Sequence, residues 1–277
     1  MKKIKIGIIG NGFVGEALTF AFSTIADVLV YDIDPDKSKD SLESVHNCDY
    51  VFICVPTPMS KTGEQDFSYV EKVFSKAKSK PIYIIKSTIL PGSTKKISEK
   101  YPDFKVIFSP EFLTERTAKL DMLTQSRIIL GGKKQIVDQV EKIFIRRFKN
   151  KNIIKTDSVT AELIKYMNNS FFATKVSIMN EFKLLSDKIG ANWDDALFGF
   201  ATDGRIGDSH LNVPGHDGKL GYGGTCFPKD VNALLNFSKK NSINLNTIEG
   251  GWKTNLMVRT EKDWEKKHGR SVNYNIK

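Results

Sequence analysis

The sequence predicts an α/β protein: a doubly wound, mostly parallel sheet, then a long helix and a small, mainly helical domain. Three observations carry that expectation. Short apolar runs alternate with helical patterns through the first half, a glycine-rich turn follows the first of those runs, and one helical pattern extends unbroken from Ser158 to Ile189.

The elements follow in order. Met1-Lys2-Lys3-Ile4 opens a strand and not a signal peptide, and Ile4 to Ile9 is its apolar run. Gly10-Asn11-Gly12-Phe13-Val14-Gly15 comes next, then an apolar helical pattern from Ala17 to Ile25, a second strand from Val28 to Tyr31, and Asp32. Strand, glycine turn, helix, strand and acid is the order a Rossmann-type dinucleotide site requires. Gly10 permits the tight turn, Gly12 lets backbone approach a pyrophosphate, and Gly15 allows close helix packing. The helix amino terminus then meets the phosphates. Asp32 would accept hydrogen bonds from the adenosine ribose and repel a 2′-phosphate, so the expected cofactor is NAD and not NADP.

Further strands are predicted at Tyr50–Cys54, Pro81–Ile85, Lys105–Phe108, Arg127–Leu130 and Asn152–Ile154, with helices near Phe67–Ala77 and Ile136–Arg147. The character changes at Thr156, so the expected domains are 1–155 for the cofactor and 156–277 for the long helix and a helical catalytic and dimerisation domain. Leu163, Ile164, Met167, Phe171, Phe172, Ile178, Met179, Phe182 and Leu185 mark the buried faces expected of the long helix, and Gly190 stops it. Shorter helices and glycine-rich loops follow, and Asp263–Arg270 reads as a compact helical tail.

The 277 residues suffice for a real core, and no apolar stretch is long enough to span a membrane. A formal charge of +10 raises nucleic acid as a partner, but the lysines are scattered without an aromatic-interleaved stripe; a solvated surface that draws in an anionic substrate fits better. Cys48, Cys54 and Cys226 form neither a metal-spaced cluster nor a disulfide framework, which points to a reducing cytoplasm and no metal.

Cys226 stands apart within Gly221-Tyr222-Gly223-Gly224-Thr225-Cys226-Phe227-Pro228-Lys229-Asp230. It precedes a helix start, with Pro228 suited to the first helical position. The positive helix end and Lys229 both favour thiolate, the nucleophilic form, and Asp230 lies four residues on, where it could face the same site. The plainer alternative is a buried cysteine beside a turn. On the long helix Lys165 and Asn169 are four residues apart and share a face.

Several motifs, in this order, resemble the UDP-glucose/GDP-mannose dehydrogenase family. They are the glycine turn, Val55-Pro56-Thr57-Pro58, Lys86-Ser87-Thr88-Ile89-Leu90-Pro91-Gly92, Ser109-Pro110-Glu111-Phe112-Leu113, the Lys165/Asn169 helix, Gly204-Arg205-Ile206-Gly207 and the cysteine loop. The resemblance implies four-electron oxidation of a nucleotide-sugar C6 alcohol to the carboxylate, with two NAD reduced. UDP-glucose is the leading substrate; GDP-mannose, a UDP-N-acetylhexosamine, or binding without turnover are the alternatives. Cys226 would be the nucleophile, Lys165 and Asn169 would stabilise the C6 alkoxide, Asp230 would hold water, and Thr88 with Glu115 would organise water near the nicotinamide.

The resemblance also implies cofactor contacts from Phe13, Val14, Lys37, Thr57, Thr88, Glu115 and Lys229. It implies substrate contacts from Glu111, Phe112, Leu113, Lys165, Asn169, Gly221, Tyr222 and Gly223, with Arg205 reaching the neighbouring subunit's substrate. It is closest to a short form that ends at Lys277 without the family's further nucleotide-binding domain, and it implies a homodimer through the long helix.

Overall fold

The opening strand forms because Ile6, Ile8 and Ile9 can be buried on both faces of a sheet. In the computed structural model, which describes residues 3–274, the chain divides into two compact units: Met1–Thr57 with Asp66–Lys165, and Pro58–Gln65 with Tyr166–Lys277. The division thus falls inside the long helix, ten residues beyond the 155/156 step expected from composition. Met1 and Lys2 of the expected first strand lie outside the described residues.

The first unit alternates β1 (Lys5–Ile9), α1 (Phe13–Phe22), β2 (Asp27–Tyr31), α2 (Leu42–Val45), β3 (Tyr50–Ile53), α3 (Ser68–Ser75), β4 (Ile82–Ile85), α4 (Ser93–Lys100) and β5 (Lys105–Phe108). It closes with α5 (Ala118–Thr124), β6 (Arg127–Gly132), α6 (Lys134–Arg147) and β7 (Asn152–Thr156). The seven strands lie in the order β2-β1-β3-β4-β5-β6-β7, all neighbours parallel except β5 and β6. This is the doubly wound, Rossmann-like sheet expected. The order reverses between β1 and β3, and in such sheets the crevice at that switch point, at the carboxyl ends of the strands, is where ligands bind.

Each face of the sheet has an apolar layer. On one, Phe22 meets Phe144 edge-on at 5.6 Å and Phe52 at 5.3 Å; on the other, Phe74, Tyr83 and Phe104 pack together. Burying each such ring contributes roughly 1.5–3 kcal/mol. Helix α1 starts at Phe13 and not at Ala17, because Gly12 is itself the extended N-cap residue. The sequence did not announce α2, α4 or α5; α4, for example, buries only Thr94 and Ile97, and Ile97 is its one apolar residue.

Helix α7 (Ser158–Ile189) has the bounds its pattern predicts, and Gly190 ends it with φ of +72°. Its faces need correction. Leu163, Met167, Phe171, Ile178, Phe182 and Leu185 are exposed, whereas Met179 is buried and Ile164 partly buried. The apolar stripe that periodicity assigned to the core is therefore largely uncovered within the chain.

The second unit adds α8 (Trp193–Ala201), α9 (Phe227–Lys240) and α10 (Asn246–Val258). The expected helical tail is a single 3₁₀ turn at Asp263–Lys266. Beyond it Val272 bridges to Met59 and to His268, and burial of Trp264, Val272 and Met59 together holds this segment in a non-helical path.

Candidate functional site

At the switch point the glycine turn is closed by backbone: Gly10 N–H donates to the Tyr31 carbonyl (2.9 Å), and Cys54 N–H to the Ile9 carbonyl (2.7 Å). Gly10 has φ of +96°, and a Cβ there would lie 2.6 Å from the Cys54 carbonyl oxygen. A Cβ on Gly15 would overlap the Gly10 carbonyl oxygen, so this helix can approach its turn only with glycine at that place. A Cβ on Gly12 would meet nothing within 4 Å, which leaves open space beside the head of α1.

Asp32 ends β2 with both carboxylate oxygens engaged: Oδ2 accepts the Asn11 N–H at 2.6 Å and Oδ1 the Asp34 N–H at 2.9 Å. Each oxygen keeps a lone pair for a further donor such as a ribose hydroxyl. Lys37 meets the glycine turn through its backbone, its carbonyl accepting from Asn11 Nδ2 at 2.8 Å, while its ammonium pairs with Asp34 on the surface. Asn11, the spacer residue between the glycines, is thus a positioning residue that the motif did not single out. Phe13 and Val14 open α1, partly exposed.

Further along the strand ends, buried Thr57 donates its hydroxyl to the Thr88 carbonyl at 2.7 Å, and Thr88 is itself buried. Its loop is anchored by Glu162 of α7, whose carboxylate accepts the Gly92 and Thr94 N–H groups at 2.6 and 2.8 Å, an acid at the amino terminus of α4. Glu115 is exposed at the head of a 3₁₀ turn, Glu115–Thr117.

After β5 the chain bends around a lysine. Lys165 Nζ donates to the Glu111 carboxylate (2.9 Å) and to the Glu111 carbonyl (2.6 Å), and sits 5.4 Å from the Phe112 ring centroid. Glu111 also accepts the Leu113 N–H at 2.7 Å. Burial alone would raise the Glu111 carboxyl, but the Lys165 charge, these hydrogen bonds and the Lys86 charge outweigh it and hold it below the ordinary carboxylate range. Of the residues expected to touch substrate, Glu111, Phe112, Leu113 and Lys165 do converge. Burial pushes the Cys54 thiol up to about 12 and Cys48 up to about 11, which leaves both inert near neutrality.

In the second unit Cys226 is the N-cap residue of α9, partly buried, and its carbonyl accepts the Asp230 N–H at 3.0 Å. The helix begins at Phe227, so Pro228 takes the second helical place and not the first; its missing N–H is equally harmless there. Asp230 is buried and doubly engaged: Oδ2 accepts from Asn169 Nδ2 at 2.6 Å, Oδ1 from Lys229 Nζ at 2.5 Å. The Lys229 ammonium thus lies on Asp230.

The Gly221–Gly224 loop is held by residues that sequence reasoning missed. Asn180 accepts the Gly221 N–H; Asn255 accepts the Tyr222 N–H and donates to its carbonyl; Asp263 accepts the Gly224 N–H. Arg259, almost wholly buried, pairs with Asp217 (2.7 Å) and Asp263 (3.0 Å). The glycines signalled that backbone must approach something closely; nothing local could say that the partners lie on α7, on α10 and just after it. Arg205 is exposed and paired with Asp203. His210 stacks on Phe172 at 4.2 Å between centroids. Among the described residues no cluster of His, Cys, Asp and Glu could hold a metal ion, and no helix is long and apolar enough to cross a membrane.

Two domain families match the chain in order: the NAD binding domain of the UDP-glucose/GDP-mannose dehydrogenase family over residues 36–148, and its central domain over residues 159–256. A UDP-glucose 6-dehydrogenase of Rickettsia bellii is 39% identical over 223 residues, covering 77% of this chain and 50% of that protein. The UDP-glucose 6-dehydrogenase of Campylobacter jejuni is 33% identical over 269 residues, covering 84% of this chain and 67% of that protein. The chain therefore spans between about half and two thirds of the length of these curated relatives. Among solved structures, a UDP-glucose dehydrogenase from the hyperthermophilic archaeon Pyrobaculum islandicum superposes with a TM-score of 0.83 over 92% of this chain and 68% of that one; at 24% identity this shows the shared fold. With the family's NAD binding domain and central domain matched in sequence, and a relative 33% identical of which the chain covers two thirds, the chain belongs to the UDP-glucose/GDP-mannose dehydrogenase family.

Proposed function

We propose that this chain catalyses the NAD-dependent four-electron oxidation of a nucleotide-sugar C6 alcohol to the carboxylate, with UDP-glucose as substrate and UDP-glucuronate as product. The observation that carries it is the buried network in which Asn169 of α7 and Lys229 both bond Asp230, in the first turn of the helix that Cys226 caps. Burying a carboxylate, an amide and an ammonium is unfavourable unless they are paired, and replacing such a set by hydrocarbon is often neutral or stabilising. Their presence beside a thiol at a helix head supports a nucleophile with acid–base partners.

The residues present fit NAD: the open backbone at Gly12 and the head of α1 would receive the diphosphate, and Asp32 the adenosine ribose. Phe13, Val14, Lys37 and Thr57 would line it. Bound NAD would accept the hydride that leaves C6 in each oxidation. Lys165, with Asn169, would stabilise the alkoxide that forms as the hydroxyl loses its proton.

An aldehyde holds no second hydride to give until a nucleophile adds. Cys226 Sγ would attack the aldehyde carbon, its electron pair forming the C–S bond while the carbonyl pair moves to oxygen, giving a thiohemiacetal. Loss of the second hydride leaves a thioester. Water held by Asp230, with Thr88 and Glu115, then adds; the C–S bond breaks, thiolate departs and the carboxylate keeps the water oxygen. Glu111, Phe112, Leu113 and Gly221–Gly223 would hold the sugar and diphosphate.

Arg205, extended from the surface, would serve the substrate of a second subunit. The exposed apolar residues of α7, with an apolar cavity of about 250 Å³ lined by Phe182, Leu185, Ile189, Trp193 and Phe200, support a homodimer through that helix. Three cysteines outside any disulfide suit a reducing cytoplasm.

The test is NADH formed per UDP-glucose consumed by purified protein in excess NAD. The expected result is two, with UDP-glucuronate as product. One NADH per sugar would sink the cysteine mechanism. Turnover only with GDP-mannose or a UDP-N-acetylhexosamine would reassign the substrate, and none with any sugar would overturn the reading.

A further inference from the structure

Lys86 directly follows β4 and is only 5% exposed. An ammonium there loses hydration that hydrocarbon cannot replace, so its partners matter. Its Nζ donates to the Pro110 carbonyl at 2.8 Å and to Ser109 Oγ at 3.3 Å. The next residue, Glu111, is the one on which Lys165 is docked, by both its carboxylate and its carbonyl. Two ammonium groups thus grip successive carbonyls of one turn, and both charges act on the buried Glu111 carboxylate.

We propose that Lys86 is a positioning residue for the reaction: it fixes the Ser109–Pro110–Glu111 turn, so that Glu111 keeps Lys165 docked where it serves the C6 oxygen. This rests on the role of Lys165 given above. Lys86 need not touch substrate; it acts through Glu111.

The ionisable groups facing Lys86 are Cys54 at the end of β3, Glu111 after β5 and Lys165 on α7. Burial pushes Lys86 down to about 8, against the pull of Glu111 and Cys54 and with the push of Lys165. Its charge is therefore complete well below pH 8 and lost as pH rises through that value. The charge assistance of the bond to Pro110 and the electrostatic support of Glu111 go with it, so the contribution of Lys86 to turnover is greatest on the neutral and acid side.

The test compares kcat against pH for the full-length chain and its Lys86→Arg and Lys86→Met variants. Arginine keeps its charge throughout. The parent plateau should end near pH 8, and Lys86→Arg should extend it by about one unit or more. Lys86→Met should lower kcat about tenfold to a hundredfold below pH 8, leave the KM for NAD within about twofold, and converge with the parent above about pH 9.

A second measurement needs no substituted Lys86 to fold. In the parent, the side-chain carboxyl ¹³C resonance of Glu111, assigned by its loss in Glu111→Gln, should carry an inflection near pH 8. Superimposable pH profiles, or a Glu111 resonance flat through pH 8, would overturn the proposal. If the parent oxidises no nucleotide sugar, the functional reading fails, while the Glu111 titration still decides the link between Lys86 and Glu111.

Discussion

The two chemistry-bearing regions are supported in opposite ways. The Glu111–Lys165 region stands on strand ends: Lys86 follows β4, Glu111 follows β5, and side chains and carbonyls a few residues from the sheet hold one another. The cysteine loop is held in another way. Its backbone is fixed by Asn180, Asn255, Asp263 and, through Asp217 and Asp263, Arg259, three of which follow α9 in the chain. A sheet edge positions residues by regular geometry, whereas a glycine loop must borrow its order from distant side chains. The first kind of site depends on groups that the sheet already brings together; the second depends on side chains far along the chain.

The largest effect separates chemistry from support. Cys226→Ser leaves the loop bonds untouched, so it should fold as the parent does, permit slow alcohol oxidation and reduce acid formation by on the order of 10³-fold or more. Product analysis after prolonged incubation checks this; full conversion to acid would remove the thiol from the mechanism.

Next comes the loop's support. Arg259→Met strands Asp217 and Asp263 and should destabilise the fold by about 3 kcal/mol, read from urea unfolding. At temperatures where it stays folded, its KM for the sugar nucleotide should rise much more than its KM for NAD. Equal changes in both would erase the contrast between the regions.

On the sheet side, Asp32→Asn should keep the fold and relax the preference for NAD over NADP by about tenfold, roughly one charged hydrogen bond's worth. An unchanged preference would move ribose recognition elsewhere.

The last contrast concerns pH and is felt only in acid. His46 is buried against the Tyr83 hydroxyl (3.0 Å), with Nε2 lacking a hydrogen-bond partner, and burial pushes its pKa down from 6.5 to about 4. Below pH 6.5 the unfolded chain takes up a proton that the folded one refuses, so stability falls as pH drops from 6.5 to about 4 and this contribution is flat below. His46→Phe should flatten that slope in melting temperature against pH; an unaltered slope would assign acid sensitivity to the carboxylates.

What was legible in the sequence follows a simple rule. Residues whose chemistry depends on near neighbours could be read: the glycine turn with Asp32, the strands of the sheet, the bounds of α7, and Asp230 one helical turn beyond Cys226. Strand and helix periods and turn sterics are local physics, and local physics is written in order along the chain.

The tertiary structure alone decided the rest. Periodicity marked Met167, Phe171 and Phe182 as apolar but could not say that the chain leaves them uncovered, because burial depends on what packs opposite. Lys86 and Arg259 look like solvated surface in a chain so rich in lysine and arginine; only long-range contacts put them inside, where charge must be paired. Asp230 shows both halves at once. Its spacing from Cys226 is set by helix geometry, but its pairing with Asn169, 61 residues earlier, exists only once the long helix and α9 have packed together.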